Sequence, residues 1–118
     1  MDLFDPVQNA LTAAMQGSQV RQTALADNLA NVDTPGYVRK DVDFHDALRA
    51  AMGSGSSDVS SMDFTPQADT SAPVRADGNT VDVDAESSAM AQNALEYDAL
   101  ARISAARIDI LKSAMGVS

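Results

Sequence analysis

The stretch LADNLANVDTPGY, residues 25–37, ends the first long helical pattern of the chain and directs the chain out of it. Leu25, Leu29 and Val32 recur at spacings of four and three residues, which places them on one face of a helix. The proline at position 35 has no backbone N–H, and Gly36 can adopt a positive φ, so the Pro-Gly pair predicts a tight turn. The stretch therefore predicts a helix that ends near Val32 and a turn directly after it.

The first helix is predicted to run from Pro6 to Val32. Asp5 is suited to the N-cap and Pro6 to the first helical position. Apolar side chains, among them Leu11 and Leu25, repeat with the seven-residue period of helices that pack against other helices. Such a helix would be about 40 Å long, so it needs a partner helix along most of one face.

A second long helix is predicted to begin at Asp84, whose side chain can cap the first turn, and to end at Gly116. Acidic residues come first along it and basic residues follow, an order that suits the helix dipole. Asp98 and Arg102 are spaced for an ion pair across one turn. Its apolar stripe keeps heptad spacing and comprises Met90, Ala94, Tyr97, Ala101, Ser104, Ile108, Leu111 and Met115.

These patterns predict a mainly α fold. The two long terminal helices would pair as an antiparallel, coiled-coil-like hairpin, with an irregular and partly extended middle region. The terminal helical domain would comprise residues 1–36 and 84–118, and residues 37–83 would be an irregular middle insertion.

Short elements are predicted inside the middle region. Val38, Val42 and Phe44 alternate on one side of an extended segment. The other predicted elements are two helical turns over 45–52, a flexible break over 53–57, a polar loop over 58–76, a turn over 77–79 and an extended piece over 80–84.

Composition limits both the core and the function. The chain has 118 residues and a net charge of −9, and alanine supplies 21 of its apolar residues. A single small domain with a thin core is expected, and contacts between subunits could supply further burial. Eight basic residues scattered among seventeen acidic ones disfavour nucleic acid as a partner. No apolar run is long enough to span a membrane, and the first residues lack a secretory signal pattern.

The residues predict no catalytic, cofactor or metal site and no small-molecule substrate. His45 is the one histidine and is predicted to be a surface residue. No serine lies in a nucleophile-elbow setting. The acidic run that contains Asp77 and Asp84 lacks the glycine spacing of an EF-hand, so it predicts a turn followed by a helix cap.

The first stretch also resembles the N-terminal signature of the bacterial flagellar axial proteins. The resemblance rests on Ala26, Asn28, Leu29, Ala30, Asn31, Thr34, Pro35, Gly36 and Tyr37. The run DGNTVDVDAE, residues 77–86, and the last helix with its NALEYDAL segment are similar to the proximal rod branch of that family. About two thirds of the chain is covered, and residues 52–76 match nothing recognised.

The resemblance implies a structural, non-enzymatic subunit of the flagellar basal body that polymerises into the proximal rod and transmits torque. The implied partners are other copies of the chain, other rod proteins, the membrane-ring and rod-adaptor proteins at the rod base, and the export apparatus. The implied location is the periplasmic rod, reached by type III export without a cleaved signal peptide.

Assembly residues are predicted at the turn and along the helical stripes. Asn28, Asn31 and Asn93 could set the register of paired helices through hydrogen bonds, or they could be ordinary surface asparagines. The full set comprises Leu11, Leu25, Asn28, Leu29, Asn31, Val32, Pro35, Gly36, Tyr37, Asn93, Tyr97, Ile108, Leu111 and Met115.

Three alternatives stay open on the sequence alone. The first is the neighbouring protein of the proximal rod, which belongs to the same class. The second is a soluble helical export chaperone or adaptor, which would be a well-folded dimer when free. The third is an enzyme such as a wall hydrolase, which would need a pair of catalytic acids in a cleft.

Overall fold

The computed structural model describes residues 6–53 and 62–116, without the side chains of residues 51 and 52. It is mainly helical, as predicted, and measures 62 × 30 × 15 Å. The elements in chain order are α1 (Pro6–Ala30), β1 (Lys40–Asp41), α2 (Phe44–Gly53), β2 (Gln67–Ala68) and α3 (Val83–Ala114).

The long helices α1 and α3 pack against each other in antiparallel orientation, as predicted. Three side-chain hydrogen bonds between the helices show this direction. From one bond to the next, the residue number rises in α1 and falls in α3. Gln8 donates to Ser104 at 2.9 Å, and Gln19 donates to the Tyr97 hydroxyl at 3.2 Å. Further along, Asn28 donates to Glu86 at 3.2 Å.

The turn after α1 has the predicted conformation. Gly36 has a φ of +75°, a value that side chains disfavour, and its N–H donates to the Asp77 carbonyl at 2.9 Å. The helix ends at Ala30 rather than Val32, and the chain continues in three-residue turns, in which the N–H groups of Val32 and Thr34 donate to the carbonyls of Leu29 and Asn31 at 3.3 and 3.0 Å.

The start of α3 corrects two expectations. The N-cap is Asp82, not Asp84, and its carboxylate accepts from the N–H groups of Asp84 and Ala85 at 3.0 and 3.3 Å. The predicted extended piece over 80–84 is wrong at its end, because the helix begins at Val83. Val81 is buried and Val83 is exposed, since the bend into the helix separates the two side chains.

The middle region holds more regular structure than a loop. Helix α2 contains the two turns predicted over 45–52. The loop predicted over 58–76 is wrong at β2, which pairs antiparallel with β1 in the register Lys40↔Ala68 and Asp41↔Gln67. Two-residue polar strands show no apolar alternation, so no periodicity could reveal them. Residues 54–61, with most of the predicted break, lie outside the described residues.

The core joins α1 to the middle region. Phe44, at the start of α2, is 1 % exposed and packs edge-on against Phe64, with ring centroids 6.4 Å apart. Val42 is also buried, whereas Val38 is 40 % exposed, so the extended segment does not bury all three of its predicted side chains. Gly17 faces Phe44 so closely that a Cβ there would lie 2.6 Å from Phe44 Cβ. The missing side chain of Gly17 therefore lets α2 reach α1.

The apolar stripe of α3 faces α1 but is only partly covered. At the end of the pair where α1 begins, Gln8, Asn9 and Thr12 line a groove with Ile108, Leu111, Lys112 and Met115; this is called the open end below. Ile108 remains 43 % exposed there and Met115 56 %.

Two smaller predictions for α3 are confirmed. The Asp98–Arg102 ion pair forms at 2.9 Å, and Gly116 follows the helix with a φ of +76°. Among the described residues, no helix is long and apolar enough to cross a membrane.

Candidate assembly site at the paired helices

Asn28 is the centre of a buried polar cluster at the end of α1. Its side chain is fully buried. It forms two hydrogen bonds with the backbone of Lys40, as a neighbouring β-strand would. The amide oxygen accepts from the Lys40 N–H at 3.0 Å, and the amide nitrogen donates to the Lys40 carbonyl at 2.7 Å. The Tyr37 hydroxyl also donates to the Asn28 oxygen, at 3.3 Å. One side chain of α1 therefore holds both β1 and the turn.

Glu86 brings a buried charge to the same place from α3. It is 1 % exposed, and its carboxylate accepts from the Asn28 amide at 3.2 Å and from Arg39 Nε. Arg39 also contacts Asp69 at 2.6 Å and Asp41 at 3.4 Å. A buried charge is tolerated only when it is paired and hydrogen-bonded. The guanidinium of Arg39 provides this pairing and thereby connects α3, β1 and the loop after β2.

Asn79 closes the end of α1 from the other side. Its amide nitrogen lies 2.9, 3.1 and 2.8 Å from the carbonyl oxygens of Asn31, Val32 and Thr34. Arg75 adds a further bond to the Val32 carbonyl. The last carbonyls of a helix have no partner within it, so the segment before α3 provides the cap of α1.

Asn93 of α3 joins the two long helices at a second place along their contact. It is 1 % exposed, and its amide nitrogen donates to the Ser18 carbonyl and to Gln22 Oε1, both at 2.8 Å. The Ser18 hydroxyl donates back to the Asn93 side-chain oxygen at 3.1 Å. A polar pair of this kind fixes the register of helices, because any slip leaves buried groups unpaired. Asn28, Arg39, Asn79, Glu86 and Asn93 are called the polar junction below.

Burial, hydrogen bonds and nearby charges shift the pKa values of several groups around the junction, among them Asp41, Asp69 and Tyr37. Burial alone would raise the pKa of Asp41, but hydrogen bonds from Arg21 and the Val42 N–H lower it overall. Two hydrogen bonds from Ser71, with help from Arg39, lower the pKa of Asp69. The pKa of Tyr37 is raised by burial and by the nearby charges of Asp27 and Glu86. The folded junction therefore favours ionised aspartates and a neutral tyrosine.

Comparison with known proteins places the chain among flagellar proteins. The family model described as "Flagella basal body rod protein" matches residues 8–37, which include nearly all of α1 and its turn. The "Flagellar basal body rod protein FlgB" of Escherichia coli K12 is 32% identical over 82% of this chain and 83% of its own length. The Bacillus subtilis protein of that name is 30% identical over 98% of this chain and 97% of its own length, and that of Aeromonas hydrophila is 35% identical over 80% of each.

This chain belongs to the FlgB family of flagellar basal body rod proteins. The resemblance to the axial proteins is thereby confirmed, and of the proximal rod proteins the relatives indicate FlgB rather than its neighbour FlgC. The family match extends across Asn28, Asn31 and Gly36, which are among the residues on which the resemblance rests.

The structure brings some of the predicted assembly residues of this FlgB-family chain together at the junction. Asn28 and Tyr37 touch each other, Leu25 is fully buried nearby, and Asn93 with Tyr97 contacts α1. The predicted register role of Asn28 and Asn93 agrees with bonds that cross between segments.

Other predicted residues lie elsewhere. Asn31 bonds within its own turn, donating to the Asp27 carbonyl at 2.9 Å. Pro35 and Gly36 are exposed in the turn, and Leu11, Leu29 and Val32 are half-buried. Ile108, Leu111 and Met115 lie at the open end, far along α3 from the junction. Their role in contacts between subunits remains a prediction.

Sequence reasoning missed four residues that build the site of this rod-family chain. Arg39 and Glu86 look like surface charges, because each falls in a polar stretch and their partners are far away in sequence. Asn79 looks like an ordinary turn residue. Gly17 did carry a signal, since a glycine inside a helix costs roughly 1 kcal/mol relative to alanine and so indicates a close packing contact.

His45 lies at the surface, as predicted, with half of its side chain exposed. Its ring stacks on Phe44 with centroids 4.1 Å apart, and Nε2 contacts the Glu96 carboxylate. This contact ties α2 to α3 and makes His45 a structural link.

Proposed function

We propose that this chain is a structural subunit of the flagellar basal body that polymerises into the proximal rod and transmits torque. Membership in the FlgB family supports the role in the rod. The proposal is non-enzymatic, because the polar groups of the junction are used in internal bonds that join the helices.

The observation that carries the proposal is the antiparallel α1–α3 pair with its polar junction. A torque-bearing subunit needs helices that do not slide along each other. Asn93 with Ser18 and Asn28 with Glu86 resist sliding, because displacement by one residue would leave buried polar groups without partners. The buried ion pair of Arg39 and Glu86 adds to this resistance.

The open end supplies the surface for polymerisation in this proposal. Ile108 and Met115 are about half exposed, and Leu111 is half-buried beside them. Neighbouring subunits would cover these apolar side chains, and burial of apolar area would favour the polymer by about 25 cal/mol per Å². Other copies of the chain and other rod proteins are the proposed neighbours.

The finer points of location and partners belong to the same proposal. We place the subunit in the periplasmic part of the rod, reached through the flagellar export apparatus without a cleaved signal peptide. The membrane-ring and rod-adaptor proteins at the rod base are the proposed partners at its inner end.

The test is complementation of a non-motile strain that lacks its own copy of this protein. Leu111→Asp places a charge in the groove at the open end, and we expect loss of motility and of incorporation into isolated basal bodies. The circular dichroism spectrum of the free variant should keep its helical signal, because Leu111 is only half-buried.

Ser87→Asp is the matched control, since Ser87 is an exposed residue in the first turn of the same helix, where an acid is tolerated. It should leave motility and incorporation intact. A motile Leu111→Asp strain would contradict polymerisation through the open end. Wild-type chain that complements the strain but stays out of isolated basal bodies would favour an export chaperone instead.

A further inference from the structure

Helix α3 extends past the beginning of α1 at the open end. Gln8 of α1 donates to Ser104 of α3, so these two residues lie at the same level along the pair. Pro6, the first residue of α1, is therefore level with residue 106, because residue numbers run in opposite directions along the two helices. Helix α3 continues from there to Ala114, which adds about 12 Å. No described residue of α1 lies level with this length of α3.

The segment MDLFD, residues 1–5, directly precedes α1 and therefore starts beside this length of α3. Counting outward from Gln8 and Ser104 in opposite directions, residue 4 is level with Ile108 and residue 1 with Leu111. Two other bonds between the helices give the same levels to within about one helical turn. Five residues in extended form span about 17 Å, which is enough to follow α3 to its end.

Leu3 and Phe4 give this segment two large apolar side chains. Asp5 is the predicted N-cap of α1, so Phe4 is the residue directly before the cap. An apolar residue at this position often packs over the fourth residue of the helix. Here the fourth residue is Asn9, which is polar but lines the groove at the open end beside apolar residues of α3. The pattern therefore directs Phe4 toward the groove.

The groove has the chemistry that this segment needs. Ile108 is 43 % and Met115 56 % exposed, and both line the groove together with Leu111. Lys112 lines it as well, and its charge is opposite to that of Asp2, whose level along the pair is within about one helical turn of it. Exposed ion pairs contribute little free energy, so burial of the apolar side chains would hold the segment and the charges would orient it.

We propose that residues 1–5 of this chain occupy the groove at the open end in the free protein, with Phe4 against Ile108, and that a neighbouring subunit displaces them. The displacement rests on the proposed function, because that function uses the open end as the surface for polymerisation. The occupant is a segment of the same chain, since a short tether gives it an effective concentration of the order of millimolar, which a second copy does not reach in dilute solution.

The segment is held weakly in this proposal. Burial of Leu3 and Phe4 favours the covered groove, whereas the loss of conformational entropy of five residues opposes it. These opposing contributions leave a segment that shields the apolar side chains of the free chain from water. A partner that buries more apolar area can displace it, so the free chain would associate only where a larger contact is offered.

The first test observes the contact directly, by NMR spectroscopy on the full chain in dilute solution. We expect nuclear Overhauser effects between the Phe4 ring and the methyl groups of Ile108 and Leu111. The methyl groups of Ile110 are the internal control, because this residue is 68 % exposed and does not line the groove. Phe4→Leu should shift the methyl resonances of Ile108 and leave those of Ile110 in place.

The second test uses the absence of cysteine from the chain. Asp2→Cys combined with Lys112→Cys should form a disulfide within one chain severalfold faster than Asp2→Cys combined with Ser113→Cys. The two pairs differ little in their position along α3, but Ser113 is an exposed residue that does not line the groove. Equal rates of linkage would mean that residues 1–5 approach every side of α3 alike, and would overturn the proposal.

The same variants test the displacement in a strain that lacks its own copy of this protein. Chains linked between positions 2 and 112 should stay out of isolated basal bodies, and a thiol reductant should restore their incorporation. Asp2→Cys combined with Ser113→Cys is the control and should be incorporated with and without the reductant. Chains recovered from isolated basal bodies with the link between positions 2 and 112 intact would show that the segment does not have to leave the groove.

Two further results would overturn the covered groove itself. One is a set of Ile108 methyl resonances that Phe4→Leu does not change. The other is a contact seen only between isotope-labelled and unlabelled copies in a mixed sample, which would assign the groove to a neighbouring chain.

The outcome for the proposed function is separate. If Phe4 does not contact the groove while Leu111→Asp abolishes motility, the covered groove is wrong and the proposed rod function stands. If Phe4 contacts the groove while the Leu111→Asp strain is motile, the covered groove stands in the free chain and polymerisation through the open end is wrong.

Discussion

The two ends of the α1–α3 pair are held together by different means. At the polar junction, Asn28, Glu86 and Asn93 are at most 1 % exposed and bond across segments that are far apart in sequence. At the open end, Ile108 and Met115 are 43 and 56 % exposed and face polar residues of α1.

This difference separates the contacts that hold the pair together from the surface that we propose for assembly. Any rearrangement of the junction is unfavourable, because a buried polar group that loses its hydrogen-bond partner has no water to replace it. The junction therefore specifies one register of the two helices. Partly exposed apolar groups tolerate many partners and gain free energy from further burial. The two kinds of contact lie at separate places along the α1–α3 pair.

The largest effect is expected when the ion pair of the junction is broken. Arg39→Met leaves the Glu86 carboxylate buried without its cation, and such a change costs about 3–5 kcal/mol. We expect a loss of this size in the free energy of unfolding, measured by urea denaturation with circular dichroism. The double variant Arg39→Met with Glu86→Met should recover much of it, because the uncompensated charge is gone.

Arg102→Met is the matched control for that change. The Asp98–Arg102 pair is exposed, with 80 % of the arginine side chain and 60 % of the aspartate side chain in solvent. Exposed pairs contribute at most about 1 kcal/mol. Equal losses for Arg39→Met and Arg102→Met would contradict the contrast between the junction and the rest of the pair.

A smaller effect is expected at the contact between α1 and α2. Gly17→Ala adds a Cβ that would lie 2.6 Å from Phe44 Cβ, so one helix must shift. Overpacking costs about 1–3 kcal/mol, which should exceed the gain in helix propensity of roughly 1 kcal/mol. We expect a lower midpoint of thermal unfolding.

Gly53→Ala is the control for Gly17→Ala. A Cβ at position 53 would meet nothing within 4 Å, so the unfolding midpoint should stay the same or rise slightly. A stabilising Gly17→Ala would mean that Phe44 does not press against α1 as described.

The smallest effect is expected in how the stability of the fold depends on pH. The pKa of Asp69 is lowered in the folded chain by Ser71 and then by Arg39, from an ordinary value of 3.8. A group with a lowered folded pKa contributes stability that is present above its unfolded pKa and lost as the pH falls through its folded pKa. Asp69→Asn should therefore be less stable than the wild type at pH 7, and this difference should shrink below about pH 4.

Thermal unfolding of both proteins between pH 7 and pH 3 checks this expectation. The comparison of wild type with Asp69→Asn is needed because protonation also relieves the net charge of −9, which acts in the opposite direction. A constant difference across this range would contradict the assigned cause of the shift.

Local patterns made much of the fold predictable. The periodicity of α1 and α3, the antiparallel pairing and the positive φ of Gly36 depend on residues that are near one another in sequence or on repeated spacing. The polar junction was predictable only through Asn28 and Asn93. The partners Arg39, Asn79 and Glu86 are separated from their contacts by dozens of residues, so a single sequence does not reveal which polar residues pair.

The sequence by itself therefore determined the two long helices, the turn between α1 and β1, the small size of the core and the family. Helix periodicity and turn chemistry act over a few residues, and they depend little on the rest of the chain. Only the tertiary structure decided that Glu86 is buried, that Asn79 caps α1 and that Gly17 receives Phe44. Those outcomes depend on which surfaces meet, because burial turns an ordinary polar or small residue into one that the fold requires.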